Sequence, residues 1–405
     1  MKPEKLTVLA MNGGSSSIKF ALYTMGDAPQ RRLQGKVDRI GLRGTTLTFV
    51  DPSRNQHGNR IIGDFDHPVA ANFLIDWLAQ QIGLTSITAV GHRIVAGGAH
   101  DNAPQRVTPG LLDALRASVA YAPKHLPSAL AVIDLMHERA PSLPQIVCFD
   151  TAFHRDMPRV AKILPLPRRL QAQGVERYGF HGLSYAFLME ELAHVAGAEA
   201  AQGRVILAHL GNGASLAAVR GGQSIDTSMG FTPTGGVPMG TRSGDLDPGL
   251  VGYLAHTEQM SAEQFHHMVN HESGLLGVSE TSSDLRDLLA READDARAVE
   301  AVALFCYQIK KCIGAYAAAL GGLDTLVFAG GIGENAAVIR SRICNGLEFL
   351  GIAIDEARNG TNAGVISTDS GRVAVRVLHT DEEVMIAKSV CYVLEHSQNK
   401  DGPGS

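Results

Sequence analysis

A strand–turn–strand pattern that occurs twice constrains the fold of this chain more than any other feature. The segments VLAMNGGSSSIKFALY, from residue 8, and ILAHLGNGASLAAV, from residue 206, align at a spacing of 198 residues. In each, a glycine-rich turn joins two apolar runs, and Gly13 and Ser17 align with Gly211 and Ser215. A repeat of so long a period indicates a duplicated unit. The sequence therefore predicts two similar α/β halves beside a shared cleft, where ligands usually bind.

Glycine-rich turns follow three apolar runs, in the segments NGGSSS, HLGNG and AGGIGEN. Glycine and serine leave the backbone N–H groups of a turn open to an anion such as phosphate. None of the three matches GxxxxGK[ST] or GxGxxG, so a P-loop and a Rossmann dinucleotide site have little support. For any one turn, a hairpin or loop without function is the alternative. Three such turns together favour phosphate binding.

The rest of the chain alternates strand and helix patterns. Strands are predicted at 6–12, 17–24, 33–40 and 45–50, and helices at 69–82, 109–121, 128–139 and 296–320. The segment PQIVCFDTAFH predicts a buried strand with polar residues at its end, and LDTLVFAGGIGENAAVIRSRI predicts a strand, a glycine loop and a helix. This alternation indicates an α/β fold.

Composition excludes several function classes. A chain of 405 residues is long enough for two domains. The net charge of −5 and the lack of a basic block argue against a nucleic-acid partner. No apolar run approaches the roughly 20 residues that span a membrane, and the N-terminal apolar run is too short for a signal peptide. The five cysteines have no CxxC spacing, so we expect reduced thiols in a cytoplasmic protein.

Two arginines and two histidines lie in unusual loops. Arg93 is in GHRIVAGG, and Arg242 is in PTGGVPMGTRSGDLDPG, which has almost no apolar periodicity. The planar fork of arginine binds two oxygens of a carboxylate or phosphate. His181, in YGFHGLS, precedes a predicted helix and could direct an N–H group at a cleft, and His125 is in YAPKHLPS. The alternatives are a solvated surface charge for an arginine and a structural role for a histidine.

Carboxylates follow two of the predicted strands. Asp150 ends a buried strand, and Glu382 and Glu383 stand in HTDEEVMIA directly after another strand. Acids at strand ends beside phosphate-binding turns are suitable Mg²⁺ ligands, and the side-chain oxygen of Asn12 could serve the same ion. For the two glutamates, an acidic helix N-terminus without a metal is the alternative.

Eight motifs of the sequence, in this order along the chain, resemble those of the acetate and propionate kinases. They are NGGSSSIKF, GHRIVAGG, FDTAFH, RYGFHGLS, HLGNGASL, GTRSGDLDPG, GGIGEN and TDEE, and they extend from about residue 6 to about residue 390. The resemblance implies two duplicated actin-like (ribonuclease H-like) domains around an interdomain cleft, as in sugar kinases, Hsp70 and actin. The expected domains are residues 1–150 with 381–405, and residues 151–380.

The resemblance also implies a reaction. ATP would phosphorylate a short-chain carboxylate, with acetate as the first choice, to give an acyl phosphate and ADP by a reversible in-line transfer. The cofactor would be Mg²⁺, with Mn²⁺ as an alternative, and the assembly a homodimer. Propionate or another small acid is the alternative substrate.

By the same resemblance, each motif assigns site residues. The catalytic residues are Arg93, Asp150, His181 and Arg242. The substrate pocket comprises Arg93, Val95, Lys124, His125, Phe180 and Pro233. The nucleotide-binding residues are Lys19, His209, Leu210, Gly211, Asn212, Gly213, Asp284, Leu285, Arg286, Gly331, Ile332, Gly333, Glu334 and Asn335. The metal ligands are Asn12 and Glu382.

The chain departs from the usual family pattern at two motifs. It has APKHLP where APLHNP is usual, so Lys124 replaces a leucine of the pocket and Leu126 an asparagine. A lysine there could turn outward and leave an acetate site, or pair with a polar group of a larger acid. The chain also has FHGLSY in place of FHGTSH, so Tyr185 stands where histidine is common. The size of Val95 favours acetate over propionate.

Acid–base chemistry separates the hypotheses. A carboxylic acid has a pKa of about 4, so a carboxylate substrate is already an anion and needs no general base. Asp150 is then expected to organise the site. In a kinase acting on a hydroxyl group, Asp150 would instead be the base. A non-enzymatic ATP switch like actin or Hsp70 is a third hypothesis, against which the two arginines argue.

Overall fold

The computed structural model describes residues 6–14, 16–97, 103–121 and 126–398. Its strands are β1 (Thr7–Gly13), β2 (Ser17–Thr24), β3 (Gln30–Asp38), β4 (Thr45–Asp51), β5 (Gln56–Gly63), β6 (Ala89–Ile94), β7 (Gln105–Arg106), β8 (Gln145–Phe149), β9 (Arg204–Leu210), β10 (Ala214–Arg220), β11 (Gln223–Thr227), β12 (Thr325–Ala329) and β13 (Ala374–Val377).

The α-helices are numbered in the same way. They are α1 (His67–Ile82), α2 (Pro109–Ala117), α3 (Leu126–Arg139), α4 (Arg159–Lys162), α5 (Arg168–Gln171), α6 (Gly182–Ala196), α7 (Ala198–Gln202), α8 (Gly249–Thr257), α9 (Ala262–His271), α10 (Gly274–Ser279), α11 (Leu285–Arg291), α12 (Ala296–Leu320), α13 (Gly330–Asn335), α14 (Ala337–Cys344), α15 (Glu356–Gly360) and α16 (Glu382–Gln398). In the described ranges, no helix is long and apolar enough to cross a bilayer.

The chain divides into two compact units, residues 1–152 with 381–405 and residues 153–380. The first unit has an eight-stranded sheet in the order β5-β4-β3-β2-β1-β6-β8-β7. Trp77 of α1 packs its ring against Phe20 and Phe49 in the core of this unit. Helix α16 crosses β6 at Gly91, where a β-carbon would lie 2.4 Å from Ile386. Glycine at this position therefore lets α16 pack closely on the sheet.

The second unit has a five-stranded sheet in the order β11-β10-β9-β12-β13. Helix α6 covers one part of its core, where Tyr185, Leu188 and Leu192 pack with residues of β9, β10 and β12. The long helix α12 packs against β10 and contributes buried Phe305 and Ile309. Helices α6 and α12 thus cover apolar side chains of the sheet, as its buried central strands β9, β10 and β12 require.

Five strands of the first sheet, β3-β2-β1-β6-β8, have the same order as the five strands of the second, which confirms the predicted duplication and the α/β fold class. In each, a first strand (β1 or β9) pairs antiparallel with the next strand and parallel with a later one (β6 or β12). The hairpin loops differ in length, however. The last paired residues are Gly13 and Ile18 in the first hairpin and Leu210 and Ala214 in the second. Gly13 therefore ends a strand, whereas its sequence partner Gly211 is in the turn.

Two sequence predictions need correction in detail. The predicted glycine loop GGIGEN is the short helix α13. Within this segment only Gly330 has a positive φ (76°), and the side chain of Glu334 accepts a hydrogen bond from the N–H group of Gly330. The predicted helix 109–121 ends as α-helix at Ala117, and a 3₁₀ turn follows from Ser118. Strand β5 was not predicted, because its segment QHGNRIIG is polar and contains glycine.

We expect acid to destabilise this fold through two buried histidines. Burial lowers the pKa of His92, beside Gln145, and that of His154, beside Ser224, each to about 4. In the unfolded chain a histidine has a pKa of about 6.5. As pH falls from 6.5 towards 4, the unfolded state therefore binds more protons than the folded state, which lowers the free energy of unfolding. Each histidine should then remove up to ~3 kcal/mol of stability over that window.

Urea denaturation at several pH values would test this expectation. The midpoint of wild type should fall as pH decreases from 6.5 to 4.5, and His92→Gln should reduce the slope of that fall. His57→Gln, at an exposed position of β5, is the matched control and should keep the wild-type slope. Equal slopes in all three proteins would contradict the assignment.

Candidate active site

The first unit brings polar residues from four elements together where β1 and β6 end. Arg93, on β6, donates from Nε and Nη2 to the carboxylate of Asp150, with Nε–Oδ1 at 2.9 Å and Nη2–Oδ2 at 2.5 Å. It also donates from Nη1 to Oδ1 of Asn12 at 3.1 Å. The amide nitrogen of Asn12 donates to Glu382 at 2.9 Å and to Glu383 at 3.2 Å. Asn12 therefore links the arginine to the two glutamates.

The start of α16 sets the position of those glutamates. Asp381, the residue before the helix, accepts a hydrogen bond from the N–H group of Val384, which is an N-terminal cap. Arg31 of β3 forms an ion pair with the same carboxylate and a 3.1 Å hydrogen bond with the Tyr23 hydroxyl. These contacts anchor the acidic turn to the sheet.

Charge in this cluster is crowded and buried. The Asp150 side chain is 1% exposed, and burial raises the pKa of its carboxyl while the ion pair with Arg93 opposes that rise. Burial alone would lower the pKa of Arg93, but Asp150 and Glu382 raise it above its ordinary value. Burial also raises the pKa of Glu383, and Lys19 partly offsets this. The three carboxylates of Asp150, Glu382 and Glu383 thus interact with two cationic side chains, Arg93 and Lys19.

This donor set is compatible with a divalent cation. Among the described residues, no group of three or more histidine, cysteine or acidic side chains is arranged to enclose a metal ion. Mg²⁺ does not require such a cage, because it usually binds one or two carboxylates together with substrate phosphates and water. Glu382 and Glu383 offer such carboxylates. Asn12 directs its oxygen at Arg93, so its amide organises the carboxylates in the geometry observed.

In the second unit, His181 and Arg242 converge on the turn between β9 and β10. A methyl group on the α-carbon of Gly213 would lie 3.4 Å from Nε2 of His181 and 3.6 Å from Nη2 of Arg242. A side chain at this position would therefore fill the space in front of both donors. Glycine leaves this position open.

His181 is stacked on a second histidine of the nucleotide motif. The ring centroids of His181 and His209 are 4.3 Å apart, with an interplanar angle of 27°. Nδ1 of His181 is 2.8 Å from the Ser215 hydroxyl, and Nδ1 of His209 is 2.8 Å from the Ser184 hydroxyl. His181 itself has a left-handed backbone (φ 59°) directly before α6, which turns its side chain off the helix axis.

The loop of Arg242 is fixed by backbone contacts. Nη1 of Arg242 donates to the carbonyl oxygen of Pro233 at 2.8 Å, and its own carbonyl accepts from the N–H group of Met239 at 3.0 Å. Helix α10 begins against this loop at Gly274, where a β-carbon would lie 2.1 Å from the carbonyl oxygen of Met239 and 2.6 Å from that of Arg242. Gly274 is thus required for the loop to reach the position observed, and the sequence analysis missed it.

The nucleotide motifs of the second unit also lie close together. The turn Gly211–Gly213 packs against α13, since a β-carbon on Gly211 would lie 3.9 Å from the nitrogen of Gly331. Within α13, Glu334 bonds to Gly330, and Asn335 bonds to the Gly331 carbonyl at 3.0 Å, while Ile332 and Gly333 complete the helix.

The third nucleotide motif is at the start of α11. Asp284 caps this helix by accepting from the N–H group of Arg286 at 2.9 Å, and the Arg286 side chain folds back on the same carboxylate. Leu285 is buried. Gly240 lies between this motif and Asn212. A β-carbon on Gly240 would lie 2.5 Å from Oδ1 of Asn212 and 3.2 Å from the carbonyl oxygen of Ser283.

The residues predicted for the substrate pocket are only partly described. Val95 follows β6 in the first unit and is 6% exposed, and the ring of Phe180 is buried in the second unit. Pro233 is at the Arg242 loop. Lys124 and His125 lie outside the described residues.

Several polar contacts in these clusters were not predicted from the sequence. The fully buried Tyr185 bonds to Ser215 at 2.5 Å, and Ser184 bonds to Thr380 at 2.7 Å. Arg340 is completely buried and donates to the Gly333 carbonyl at 2.8 Å, which holds the end of α13. The sequence analysis had singled out Tyr185 and Ser215 for their motifs, but nothing in the residue spacing indicated that the two side chains bond to each other.

Comparison with known proteins identifies close relatives. The model of the acetokinase family matches residues 7–388. An acetate kinase of Rhodopseudomonas palustris is 45% identical over 388 residues, covering 95% of this chain and 97% of the relative. A propionate kinase of Citrobacter rodentium is 43% identical over 390 residues, covering 95% and 96%.

Solved structures agree with these relatives. The acetate kinase of Porphyromonas gingivalis superposes with a TM-score of 0.85 at 37% identity, covering 96% of this chain and 100% of that one. A propionate kinase from Francisella tularensis superposes with a TM-score of 0.88 at 34% identity, covering 95% and 98%.

Proposed function

The chain belongs to the acetokinase family, and we propose on that premise that it transfers the terminal phosphoryl group of ATP to the carboxylate of a short-chain acid. The products are an acyl phosphate and ADP, and the reaction is reversible. The observation that carries the mechanism is the convergence of Arg242 and His181 on Gly213, because phosphoryl transfer depends on positioned donors around the moving group.

Arg93 is proposed to bind the acid. Its Nε edge is held by Asp150, and Nη1 and Nη2 each carry a further hydrogen with which a substrate carboxylate can be bound. The substrate oxygen is already negative at neutral pH, so no proton must be removed before it attacks phosphorus. Asp150 therefore acts by holding Arg93 in position. The general base that a hydroxyl-directed kinase needs is not required for this reaction.

Arg242 and His181 are proposed to bind the transferring phosphoryl group. In the transition state, negative charge is spread over its equatorial oxygens. Nη2 of Arg242 and Nε2 of His181 face the same space above Gly213 and can each donate to one of those oxygens. Their donation strengthens as the charge develops, which lowers the barrier. The turn His209–Gly213, α13, the Asp284–Arg286 motif and Lys19 are proposed to bind the rest of the nucleotide.

Glu382 and Glu383, oriented by Asn12, are the residues that would hold Mg²⁺ or Mn²⁺. When bound, the ion would neutralise phosphate charge. The two carboxylates keep their positions through Asn12 and through the cap of Asp381 on α16. Burial raises the pKa of Glu383 and Lys19 partly offsets this, so a bound cation would favour the ionised carboxylate further.

Acetate is the proposed acid, with propionate as the alternative. The relatives include proteins named for each acid at similar identity, so family membership alone does not choose between them. Val95, buried beside Arg93, would narrow the pocket and favour the smaller acid.

We also propose a homodimer. Helix α8 is apolar in sequence (GLVGYLAHT) and has no buried residue, with Val251 and Tyr253 both exposed. An apolar helix that contacts α9 and still leaves apolar side chains exposed is typical of a surface covered by a second copy. Light scattering of the purified chain would distinguish a dimer from a monomer.

Trapping the product as a hydroxamate tests the reaction. With ATP and Mg²⁺, acetate and propionate should yield acyl phosphate, and glycerol should stimulate no ADP release. The comparison of kcat/KM for acetate, propionate and butyrate in wild type and Lys124→Leu would determine the acid preference. Absence of product with every acid would contradict the proposal, and ADP release with glycerol alone would indicate a hydroxyl-directed kinase.

A further inference from the structure

A chain of hydrogen bonds connects His181 to a tyrosine in the core of the second unit. The hydroxyl of Tyr185, on α6, is 2.5 Å from the hydroxyl of Ser215, on β10. The Ser215 hydroxyl is in turn 2.8 Å from Nδ1 of His181. Tyr185 and Ser215 are both completely buried, so water does not compete for these contacts.

Burial determines the direction of the hydrogen bonds. A buried hydroxyl that does not donate its proton costs roughly 1–3 kcal/mol, so the phenol proton of Tyr185 must go to an acceptor. Among the described residues, the acceptor in hydrogen-bonding distance is the oxygen of Ser215. Burial also raises the pKa of Tyr185 above its ordinary range, so the phenol keeps its proton. Ser215, having accepted from the tyrosine, has its own proton directed at Nδ1 of His181.

The ring of His181 then has one favoured tautomer. A neutral imidazole carries its proton on one nitrogen only, and the nitrogen that accepts a hydrogen bond is the unprotonated one. With Nδ1 accepting from Ser215, the proton is on Nε2, the nitrogen that faces Gly213 and Arg242. The cation of Arg242, close to Nε2, disfavours a second positive charge on His181.

We propose that Tyr185 and Ser215 are positioning residues for the phosphoryl transfer, which act by fixing His181 as the Nε2–H tautomer. Nε2 then donates to the transferring phosphoryl group without a prior proton exchange. This inference rests on the proposed function for its kinetic effect. The tautomer of His181 is a property of the folded protein and is measured without substrate.

Tyr185→Phe is the test, because it removes the hydroxyl and keeps the ring in the core. With ¹⁵N-labelled histidine, proton–nitrogen correlation spectra of the full chain distinguish the two tautomers, and the signals of His181 are assigned by their loss in His181→Asn. Wild type should give the Nε2–H tautomer, and Tyr185→Phe a mixture of both. We expect kcat to fall roughly tenfold, less than the 10²–10³-fold cost of losing a direct donor, with KM values unchanged.

Tyr316→Phe is the matched control, since it removes the hydroxyl of another buried tyrosine in the same unit, whose partner is Cys312. It should leave both the tautomer and kcat unchanged. Ser215→Ala should reproduce the effects of Tyr185→Phe, with Tm reporting any loss of folding.

An unchanged tautomer in Tyr185→Phe would overturn the proposal even if kcat fell, because the hydroxyl would then act only through packing. A mixed tautomer with unchanged kcat would equally overturn it. If wild type formed no acyl phosphate, the proposed function would fail, and the spectra would still determine the tautomer.

Discussion

Replacing Arg242 with alanine is expected to lower kcat by roughly 10³-fold or more, the effect known for arginines that stabilise phosphoryl transfer. The terminal phosphoryl group of ATP is already negative in the ground state, but Arg242 is proposed to match the arrangement of its oxygens best in the in-line transition state, so the loss should appear in kcat more than in KM for either substrate. Steady-state kinetics of acyl phosphate formation at saturating ATP and acid would measure it.

Two further variants make this result specific. Arg242→Lys keeps the charge but lacks the planar fork, so it should recover only part of the activity. Arg155→Ala removes an exposed arginine of the same unit that pairs, among the described residues, with its neighbour Asp156, and it should retain wild-type turnover. Near-wild-type kcat in Arg242→Ala would show that the convergence on Gly213 has no part in catalysis.

The sequence predicted those parts of the fold that depend on local pattern. The two hairpins, the long helix α12 and the acidic turn before α16 follow from apolar periodicity and from glycine and acidic residues at strand ends. The one-residue difference between the hairpin loops did not, because aligned glycines look equivalent until strand pairing is known. In GGIGEN, the sequence signalled a glycine loop, but the Glu334 side chain stabilises a helix there.

For the candidate site, the motifs provided the residues but not their contacts. Asn12 and Glu382 are 370 residues apart, and the packing of α16 on β1 and β6, with its close approach at Gly91, brings them to 2.9 Å. The contact between Tyr185 and Ser215 was not predicted for a different reason, since a hydroxyl in a buried helix or strand has no periodic signature. Such contacts depend on tertiary packing, which a single sequence does not encode in its spacing.

The pair of Arg93 and Asp150 leads to the second large prediction. Replacing Arg93 with alanine should raise KM for the acid about 10²-fold, equivalent to ~3 kcal/mol, because the substrate carboxylate loses its charged partner. The same change leaves Asp150, which is 1% exposed, without a counter-charge and next to Glu382. Breaking a buried pair in this way costs about 3–5 kcal/mol, so the free energy of unfolding should fall as well.

The double variant Arg93→Ala/Asp150→Ala separates binding from stability. It removes the unpaired carboxylate, so its free energy of unfolding should be higher than that of Arg93→Ala, although the two changes are each destabilising alone. Its KM for the acid should stay as high as in the single variant, because Asp150 acts on the substrate only through Arg93. If the double variant recovered both stability and the wild-type KM for the acid, Arg93 would be a structural residue and would not bind the acid.

The variant Asp150→Asn, which keeps Arg93, tests the other role of Asp150. If it lowered kcat by 10²-fold or more and left KM for the acid unchanged, Asp150 would act as a base, as hydroxyl-directed chemistry requires.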